Sequence, residues 1–327
     1  MPHVLVTGAA GYIGSAVTAV LVREGHTVVA LDNLSRGHRS ALSPEATLVR
    51  ADIADAAALD QVFRAHPIEA VIHLAGLIQV GESMSEPGLY YSNNISSGVA
   101  LLEAMRRNGV SRLVFSSSAA VYGAPQQVPI PEEHPVDAVN PYGATKAVFE
   151  DLLRWYGEAH GLKSVSLRYF NAAGALGPHG EDHRPESHLV PNVFKVALGQ
   201  TDLFSLFGDD YPTADGTAVR DYIHIEDIAN VHALALARLG ELPRLAYNVG
   251  LGRGFSVREV VDAAGRVCGR PIPVRVEPRR AGDSPALVAD PQALRADLGW
   301  RPVHDDLESI LESAWRWHKD HPHGYAD

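Results

Sequence analysis

A glycine-rich turn near the start of the chain constrains its fold more than any other feature. The run Thr7-Gly8-Ala9-Ala10-Gly11-Tyr12-Ile13-Gly14 follows the strand-like stretch HVLVT and precedes a helical pattern. Between a strand and a helix, such glycines permit a tight turn and let the backbone approach a pyrophosphate at the helix N-terminus. The motif predicts a dinucleotide-binding βαβ unit, with an ordinary glycine-rich connection as the alternative.

An acidic residue at the end of the next apolar run indicates which dinucleotide binds. Asp32 closes VVALD about twenty residues beyond the glycines, where a carboxylate accepts hydrogen bonds from ribose hydroxyls and repels a 2′-phosphate. We therefore expect NAD, although Arg36 and Arg39 are available to favour NADP. Asp52, at the end of ATLVRAD, is placed either to reach the adenine or to cap the following helix.

The order of apolar runs and helical patterns gives the fold class. Short apolar runs up to KSVSLRYFN alternate with helical stretches such as Tyr90–Asn108 and Tyr142–His160, which is typical of buried parallel strands in βαβ units. We expect an α/β fold with a doubly wound parallel sheet of the Rossmann type. A long Gly/Pro/His-rich loop from Ala172 marks a domain boundary. Residues 1–171 are assigned to an NAD-binding domain and 172–327 to a smaller mixed α/β domain for the substrate, with segments near 220–250 returning to the first.

Composition narrows the possible function classes. The chain of 327 residues has a net charge of −11 and scattered basic residues, so the electrostatic footprint of a nucleic-acid-binding protein is missing. No apolar run approaches the ~20 residues that cross a bilayer, and the N-terminal residues do not form an export signal. Cys268 is the single cysteine, so no internal disulfide forms. We expect a cytoplasmic protein that binds neither nucleic acid nor membranes.

A tyrosine and a lysine in PYGATK carry the candidate chemistry. Tyr142 and Lys146 lie four residues apart, on one face of a predicted helix. A phenol has a pKa of ~10, so its use as a base at neutral pH requires a shift of roughly three units. A neighbouring ammonium and an oxidised nicotinamide both favour the phenolate. Upstream, the strand end in FSSSAAVYG offers a serine that orients a reacting hydroxyl, or only a serine-rich turn.

The C-terminal histidines do not predict a metal site. His318, His321 and His323 lie close together in the sequence, but no cysteine or carboxylate framework with ligand spacing accompanies them. We expect a polar C-terminus and no bound metal.

Taken together, TGAAGYIG, SSSAAVYG and PYGATK resemble the extended short-chain dehydrogenase/reductase family. The runs LDNLSRG, HLAGLIQVGES, LRYFNAAGA, FGDDYPTADGTAVRDYIHIEDIA and PRRAGDSPA are similar, in this order, to UDP-sugar 4-epimerases of that family, from Val4 to the HPHGYAD tail. The resemblance implies an NAD-dependent isomerase that interconverts UDP-galactose and UDP-glucose, in which the sugar is oxidised at C4, turns its other face and is reduced again. It also implies a homodimer paired through the helices near Tyr90–Asn108 and Tyr142–His160.

The resemblance also assigns residues to roles. Its catalytic set falls on Ser118, Tyr142 and Lys146. Its cofactor contacts fall on Gly8, Gly11, Tyr12, Ile13, Gly14, Asp32, Asn33, Asp52, Ile53, Leu74, Ala75, Gly76, Asn94, Ser116, Tyr142, Lys146 and Tyr169. Its substrate contacts fall on Ser118, Tyr142, Asn171, His188, Leu189, Phe207, Arg220, Arg280 and Asp283. Arg220 and Arg280 suit a diphosphate through charge-assisted hydrogen bonds, or are ordinary ion-pair partners.

Three positions depart from the family pattern. Ile78 stands where some members carry lysine near the cofactor, and His188 where many carry asparagine. Leu287 stands where members restricted to glucose and galactose often carry tyrosine. A smaller residue there leaves room for an N-acetyl group, so N-acetylated sugars are a further substrate hypothesis.

Other functions on the same fold remain as alternatives. A 4,6-dehydratase needs an acid and a base directly after the strand-end serine, where this chain has Ala119 and Ala120, so dehydration is disfavoured. A 4-epimerase of UDP-pentoses or UDP-glucuronate differs only in pocket shape. A non-catalytic NAD-binding regulator has no need of Ser118, Tyr142 and Lys146 together, which favours an enzyme.

Overall fold

The computed structural model of the chain describes residues 2–280 and 283–327, so Ala281 and Gly282 of the PRRAGDSPA motif lie outside the described residues. Its strands are β1 (His3–Thr7), β2 (Thr27–Asp32), β3 (Thr47–Arg50), β4 (Ile68–His73), β5 (Arg112–Ser118), β6 (Lys163–Tyr169), β7 (Asn171–Ala173), β8 (Phe204–Phe207), β9 (Val219–His224), β10 (Ala246–Val249), β11 (Gly254–Ser256), β12 (Val274–Glu277) and β13 (Ala286–Leu287). Its helices are α1 (Tyr12–Arg23), α2 (Ala56–Ala65), α3 (Val80–Ser85), α4 (Pro87–Tyr91), α5 (Ser97–Arg107), α6 (Pro141–His160), α7 (Leu189–Ala197), α8 (Ile225–Arg238), α9 (Val257–Cys268), α10 (Gln292–Leu298) and α11 (Leu307–Asp320).

A seven-stranded parallel sheet in the order β10-β6-β5-β4-β1-β2-β3 forms the centre of the molecule. This confirms the predicted doubly wound α/β fold. β10 comes from the second half of the chain and pairs with β6, in register from Ala246 opposite Ser166 to Val249 opposite Tyr169. The remaining strands form a small sheet around β9, which β7, β11 and β13 join, and a parallel pair of β8 and β12.

The central strands are buried on both faces, as their continuous apolar runs predict. Successive side chains of β1 alternate: Val4 and Val6 pack with α1 and α8 on one face, and Leu5 packs with α2, α5 and α6 on the other. The two-sided burial fixes the strand register, because a shift of one residue would exchange the two faces.

Local signals fix the ends of the helix that carries the candidate catalytic residues. The Asn140 side chain accepts a hydrogen bond from the Gly143 N–H at 2.8 Å, and Pro141 occupies the first turn of α6. The helix ends at Gly161 in the left-handed conformation, with φ of 70°. Tyr142 and Lys146 therefore lie in its first two turns, beside the carboxyl end of β5.

One predicted helix is interrupted. The run expected as a single helix from Tyr90 to Asn108 begins earlier, at Pro87, and contains a π-helical turn at Ser92–Ser96 between α4 and α5. Such turns are common at functional sites, and this one carries Asn94, a predicted cofactor residue. Among the described residues, no helix combines the length and the apolar character that crossing a bilayer requires.

Candidate active site

The glycine turn joins β1 to α1 at the carboxyl edge of the sheet. Gly8 has φ of +69°, and a Cβ there would lie 2.6 Å from the Ala75 nitrogen. A Cβ on Gly14 would lie 2.0 Å from the Gly8 carbonyl oxygen, so only glycine lets the helix approach the turn. Gly11 is the N-cap of α1 and contributes no side-chain cap, which leaves the first-turn N–H groups available to an anion.

Asp32 closes β2 beside this turn and is held by the backbone. Its Oδ2 accepts a hydrogen bond from the Ala10 N–H at 2.9 Å, and its Oδ1 accepts one from the Leu34 N–H at 2.8 Å. Each oxygen keeps one lone pair for a ribose hydroxyl. Burial raises the pKa of Asp32, and the two backbone donors oppose this.

Of the two arginines that offered an NADP alternative, Arg36 is engaged elsewhere. Arg36 Nη2 lies 2.8 Å from Glu82 Oε1, and its Nη1 donates to the Arg184 carbonyl oxygen at 3.2 Å. The part of the cavity around Asp32, where the ribose is expected, therefore offers a carboxylate. The Arg36 guanidinium is not free to bind a 2′-phosphate there. This arrangement fits NAD.

Asn33, Asp52 and Ile53 form the wall where an adenine is expected. The Asn33 amide donates to Asp52 Oδ2 at 2.8 Å, while Asp52 Oδ1 accepts the Ala54 N–H at 2.8 Å. Ile53 is buried behind them. Asp52 thus neither caps α2 nor stands free; Asp55 is the N-cap of that helix.

Leu74, Ala75 and Gly76 follow β4 and line the same cavity. Asn94 lies behind them: its Oδ1 accepts the Leu77 N–H at 2.8 Å, and its Nδ2 donates to the Leu77 carbonyl and to Thr145 Oγ1. These hydrogen bonds let Asn94 fix the position of the loop after β4.

Ser118, Tyr142 and Lys146 meet at the carboxyl end of β5. Ser118 Oγ accepts the Ala120 N–H at 3.1 Å, which leaves its own proton free to be donated. Lys146 Nζ donates to the Ser116 carbonyl oxygen at 2.8 Å and lies 5.8 Å from the centre of the Tyr142 ring. The structure thus brings the whole predicted catalytic set together.

The pKa values of Tyr142 and Lys146 both shift toward the neutral forms of these side chains. Burial raises the pKa of Tyr142, and a hydrogen bond with Ser118 lowers it in part. Burial also lowers the pKa of Lys146 to about 8, against an opposing effect of Glu150. The lysine alone does not bring the phenol toward neutrality, so a further positive charge is needed in the cavity.

Tyr169 is held as a hydrogen-bond donor by a residue that the sequence did not single out. Its hydroxyl lies 2.6 Å from His232 Nε2, and His232 Nδ1 lies 2.9 Å from the Ile228 carbonyl oxygen. A carbonyl oxygen only accepts, so Nδ1 carries the proton and Nε2 accepts from Tyr169. Burial raises the pKa of Tyr169, and this phenol stays neutral.

The predicted substrate residues surround the other half of the same cavity. Arg220 Nη1 donates to the Ser284 carbonyl oxygen at 2.9 Å, and its Nη2 lies 3.7 Å from Asp283 Oδ1. The Arg280 guanidinium lies over the Phe207 ring, 4.0 Å from its centre. Asn171, His188 and Leu189 complete this half, and the whole cavity has a volume of about 1390 Å³.

Sequence analysis missed the cluster formed by Glu181, His183, Glu186 and His188, whose side chains converge in the loop before α7. The sequence pattern places the run EDHRPESH in the loop at the domain boundary, with His188 as a substrate contact. Its density of carboxylates and imidazoles within eight residues was the available signal. His188, predicted to contact substrate, lines the cavity and also belongs to this cluster.

Known proteins share this architecture over the whole chain. Residues 4–250 match the model of the NAD dependent epimerase/dehydratase family. A curated relative, UDP-glucose 4-epimerase of Halalkalibacterium halodurans, is 49% identical over 326 residues, covering 99% of this chain and 97% of the relative.

Two solved structures are similar over nearly their full length. The structure of UDP-glucose 4-epimerase from Brucella ovis in complex with NAD has a TM-score of 0.93 and 44% identity, covering 97% of this chain and 98% of that one. That of UDP-glucose 4-epimerase from Bifidobacterium longum in complex with NAD+ and UDP has a TM-score of 0.94 and 38% identity, covering 99% and 100%.

Proposed function

The chain belongs to the NAD dependent epimerase/dehydratase family, and on that premise we propose that it interconverts UDP-galactose and UDP-glucose with NAD as cofactor. One observation carries the proposal. Ser118 and Tyr142 line a single cavity, between a glycine turn that fits a pyrophosphate and an arginine pair that fits a second diphosphate, and the buried Lys146 ammonium lies 5.8 Å from the centre of the Tyr142 ring.

The cofactor half of the cavity fits NAD on the geometry of this chain. The positions of Gly8 and Gly14 exclude any side chain, which leaves the backbone open to a pyrophosphate. Asp32 offers one free lone pair on each oxygen for the ribose, and Asp52 lies on the adenine side. NAD held by these residues would supply the hydride acceptor for oxidation of the sugar at C4 and the hydride donor for its reduction.

Within this cavity Tyr142 moves the proton. As a phenolate it accepts the proton of the sugar 4-hydroxyl during oxidation, and as the resulting phenol it gives that proton back during reduction. The Ser118 O–H, which reaches Tyr142, acts as the donor that aligns that hydroxyl, because the Ser118 oxygen already accepts from the Ala120 N–H. Lys146, fixed on the Ser116 carbonyl oxygen, keeps two further donors for a ribose hydroxyl.

The substrate half holds the nucleotide while the sugar turns. Arg220 is anchored on the Ser284 carbonyl oxygen, and Arg280 lies on Phe207, so both cations are positioned before a diphosphate binds. A diphosphate fixed by two guanidiniums leaves the hexose attached through rotatable bonds. The 4-keto sugar can therefore present either face without leaving the site. Ala119 and Ala120, beside Ser118, offer no proton-transfer group for a dehydration.

Proton NMR of the sugar anomeric signals tests the proposal directly. Purified protein is incubated with UDP-galactose, with and without added NAD, beside Tyr142→Phe and Tyr156→Phe variants. Tyr156 is the matched control, since it also lies on α6 but donates to Glu103 away from the cavity. We expect the unmodified protein and Tyr156→Phe to give a mixture rich in UDP-glucose without net formation of NADH. Tyr142→Phe should give no conversion. No conversion by NAD-loaded protein would contradict the proposal and lead next to UDP-pentoses and UDP-glucuronate, and then to a regulatory role.

Leu287 supports a wider substrate range that includes the N-acetylated hexosamines. It lines the cavity in β13, paired in register with Arg220 of β9. A leucine at this wall leaves more room than a tyrosine for a group on C2 of the sugar. The rate of turnover of UDP-N-acetylgalactosamine relative to UDP-galactose measures this range. Undetectable turnover of the acetamido sugar would contradict the wider range.

We also propose that two copies associate through the helical run of α4 and α5 together with α6, and that the protein works in galactose metabolism in the cytoplasm. α4 and α6 lie side by side and leave apolar side chains exposed, with Tyr91, Val148 and Trp155 each at least 40% accessible. Adjacent exposed apolar residues favour a protein interface. The single cysteine agrees with a reducing compartment.

A further inference from the structure

The segment EDHRPESH brings four potential metal ligands to one point beside the cavity. His188 Nδ1 lies 2.7 Å from Glu186 Oε1 and 3.0 Å from Glu181 Oε1. His183 Nδ1 lies 3.3 Å from Glu181 Oε1 and 3.6 Å from Glu186 Oε2. One donor atom from each of the four residues lies within 4.8 Å of the others.

The two carboxylates of this cluster are buried, and the groups that face them are imidazoles. The side chains of Glu181 and Glu186 are only 5% and 3% exposed. Elsewhere in the protein a comparable group, Glu150, pairs with Arg168 at 2.6 Å. Within the described residues, neither Glu181 nor Glu186 has a lysine or arginine partner, and only the two histidines face them. Two protonated imidazoles balance this buried pair of carboxylates when no metal is bound, and a cation held by all four residues would replace those two protons.

His183 supplies an independent sign of a missing partner. Its Nδ1 is shielded from solvent yet has no hydrogen-bond partner within the described part of the chain, although it points between the two carboxylates. A buried polar atom without a partner calls for an explanation. A cation at the centre of the four residues would satisfy Nδ1 and both carboxylates together.

From this arrangement we propose that Glu181, His183, Glu186 and His188 bind one Zn²⁺ ion. Zinc bonds of about 2.0–2.2 Å in tetrahedral geometry place neighbouring donors roughly 3.3 Å apart. The four histidine–carboxylate separations here, 2.7 to 3.6 Å, bracket that value, and all four donor atoms lie within 4.8 Å of one another. Two imidazoles and two carboxylates suit zinc, whereas a magnesium or calcium site would be built from oxygen. Four protein ligands make the site closed and structural.

The ion would stabilise the rim of the active site. No helix or strand lies between β7 and α7, and this segment touches the cofactor half through several contacts. Gln79 Nε2 donates to the Pro185 carbonyl oxygen at 2.7 Å, and the His183 ring packs edge-on against Tyr12 at 6.1 Å. Zinc would therefore hold this loop in one conformation. The loop contacts Tyr12 of the glycine turn and leads into the substrate residues His188 and Leu189.

A second group of possible ligands, His224, Glu226 and His304, serves as a control. Both ring nitrogens of His224 are already used, with Nε2 2.8 Å from Ser313 Oγ and Nδ1 accepting the Glu226 N–H at 3.0 Å. This group has no free nitrogen on its central histidine. His304→Ala therefore removes a histidine from a superficially similar cluster without touching the proposed site.

Metal analysis of the whole protein tests the proposal. Protein dialysed against a strong chelator is titrated with Zn²⁺ in the presence of a chromogenic competitor, and separately with Co²⁺. We expect one Zn²⁺ per chain, the intense visible absorption of tetrahedral Co²⁺, and a rise in the thermal unfolding temperature on adding Zn²⁺. His183→Ala and Glu186→Gln should lose all three responses, and His304→Ala should keep them.

Two results would overturn the site. The first is wild-type protein that binds no stoichiometric Zn²⁺ or gives only the weak absorption of octahedral Co²⁺, which needs no variant to be informative. The second is unchanged zinc binding in correctly folded His183→Ala and Glu186→Gln, with folding checked by circular dichroism. Neither result bears on the epimerase proposal, because every readout is independent of turnover.

Discussion

The Lys146 ammonium donates a 2.8 Å hydrogen bond to the Ser116 carbonyl oxygen at a point where the lysine is only 3% exposed. Its pKa of about 8 reflects burial, which Glu150 only partly opposes. The protein thus keeps a partly desolvated ammonium one helical turn from Tyr142. Such a group reduces the free energy of unfolding while it serves the reaction.

Replacing Lys146 with methionine should stabilise the cofactor-free protein. The folded pKa lies below the unfolded one, so the penalty is complete below about pH 8 and fades as the pH rises toward the unfolded value of ~10.4. With the lost hydrogen bond to Ser116 subtracted, we expect a gain of about 1–2 kcal/mol at pH 7 that shrinks by pH 10. Urea unfolding at both pH values measures it, and a pH-independent difference would contradict the explanation. Epimerisation should fall sharply.

Gly14→Ala should abolish NAD binding and destabilise the protein. The added methyl would meet the Gly8 carbonyl oxygen at 2.0 Å and the Ala9 Cα at 2.9 Å, both parts of the backbone. We expect a loss of several kcal/mol in the free energy of unfolding, on the order of other overpacked core sites. Gly88→Ala is the matched control, since nothing lies within 4 Å of its added methyl in α4. That variant should be neutral or slightly more stable, and equal effects of the two changes would refute the packing argument.

Asp32→Asn should weaken NAD and relax discrimination against NADP. The amide nitrogen would replace one oxygen that accepts from Ala10 or Leu34, and the charge that repels a 2′-phosphate would disappear. We expect NAD affinity to fall at least ~10-fold while NADP affinity stays constant or rises. Calorimetric titration of cofactor-stripped protein with both dinucleotides gives the ratio. A ratio equal to that of the unmodified protein would show that Asp32 does not set the preference.

Leu287→Tyr should narrow the substrate range. A phenol at this position of β13 would occupy space beside Arg220, where the C2 substituent of the sugar is proposed to lie. We expect turnover of UDP-N-acetylgalactosamine to fall at least tenfold more than turnover of UDP-galactose, a difference of ~1.4 kcal/mol in transition-state binding. Coupled assays with both substrates measure this. A parallel loss on both would indicate general damage to the pocket.

Val148→Glu should prevent self-association. The side chain is 40% exposed on α6, within the proposed contact surface, so a carboxylate would be buried without a partner in the dimer. Sedimentation velocity should show a dimer for the unmodified protein and a monomer for the variant. Val303→Glu, at an exposed valine far along the chain, is the control and should remain dimeric. A monomeric unmodified protein would remove the proposed interface.

The sequence predicted those features that depend on local pattern. The glycine turn, Asp32 at a strand end and the Tyr142–Lys146 spacing follow from periodicity and short motifs, and the structure brings them to one edge of the sheet. Features that join distant segments were not predictable in this way. The hydrogen bond between Tyr169 and His232 joins residues 63 positions apart, and no local motif predicts that these two side chains meet.

The direction of the pKa shift of Tyr142 also could not be predicted from the sequence, for a different reason. The spacing placed an ammonium near the phenol, but the balance depends on burial, which raises the pKa of Tyr142 more than its surroundings lower it. The cluster of Glu181, His183, Glu186 and His188 was missed although its residues are neighbours in the sequence. Its ligands are close in sequence, but only the folded loop shows that their donor atoms converge.

The late strand β10 has a consequence for how the protein is made. It covers the outer edge of β6, which is complete at Tyr169, but the ribosome must add about 80 more residues before all of Ala246–Val249 can pair with it. Until then β6 presents an open row of N–H and C=O groups, the kind of edge that recruits strands from other chains. A fragment that stops at residue 171 would keep that edge permanently, so it should aggregate even though it contains the whole cofactor turn.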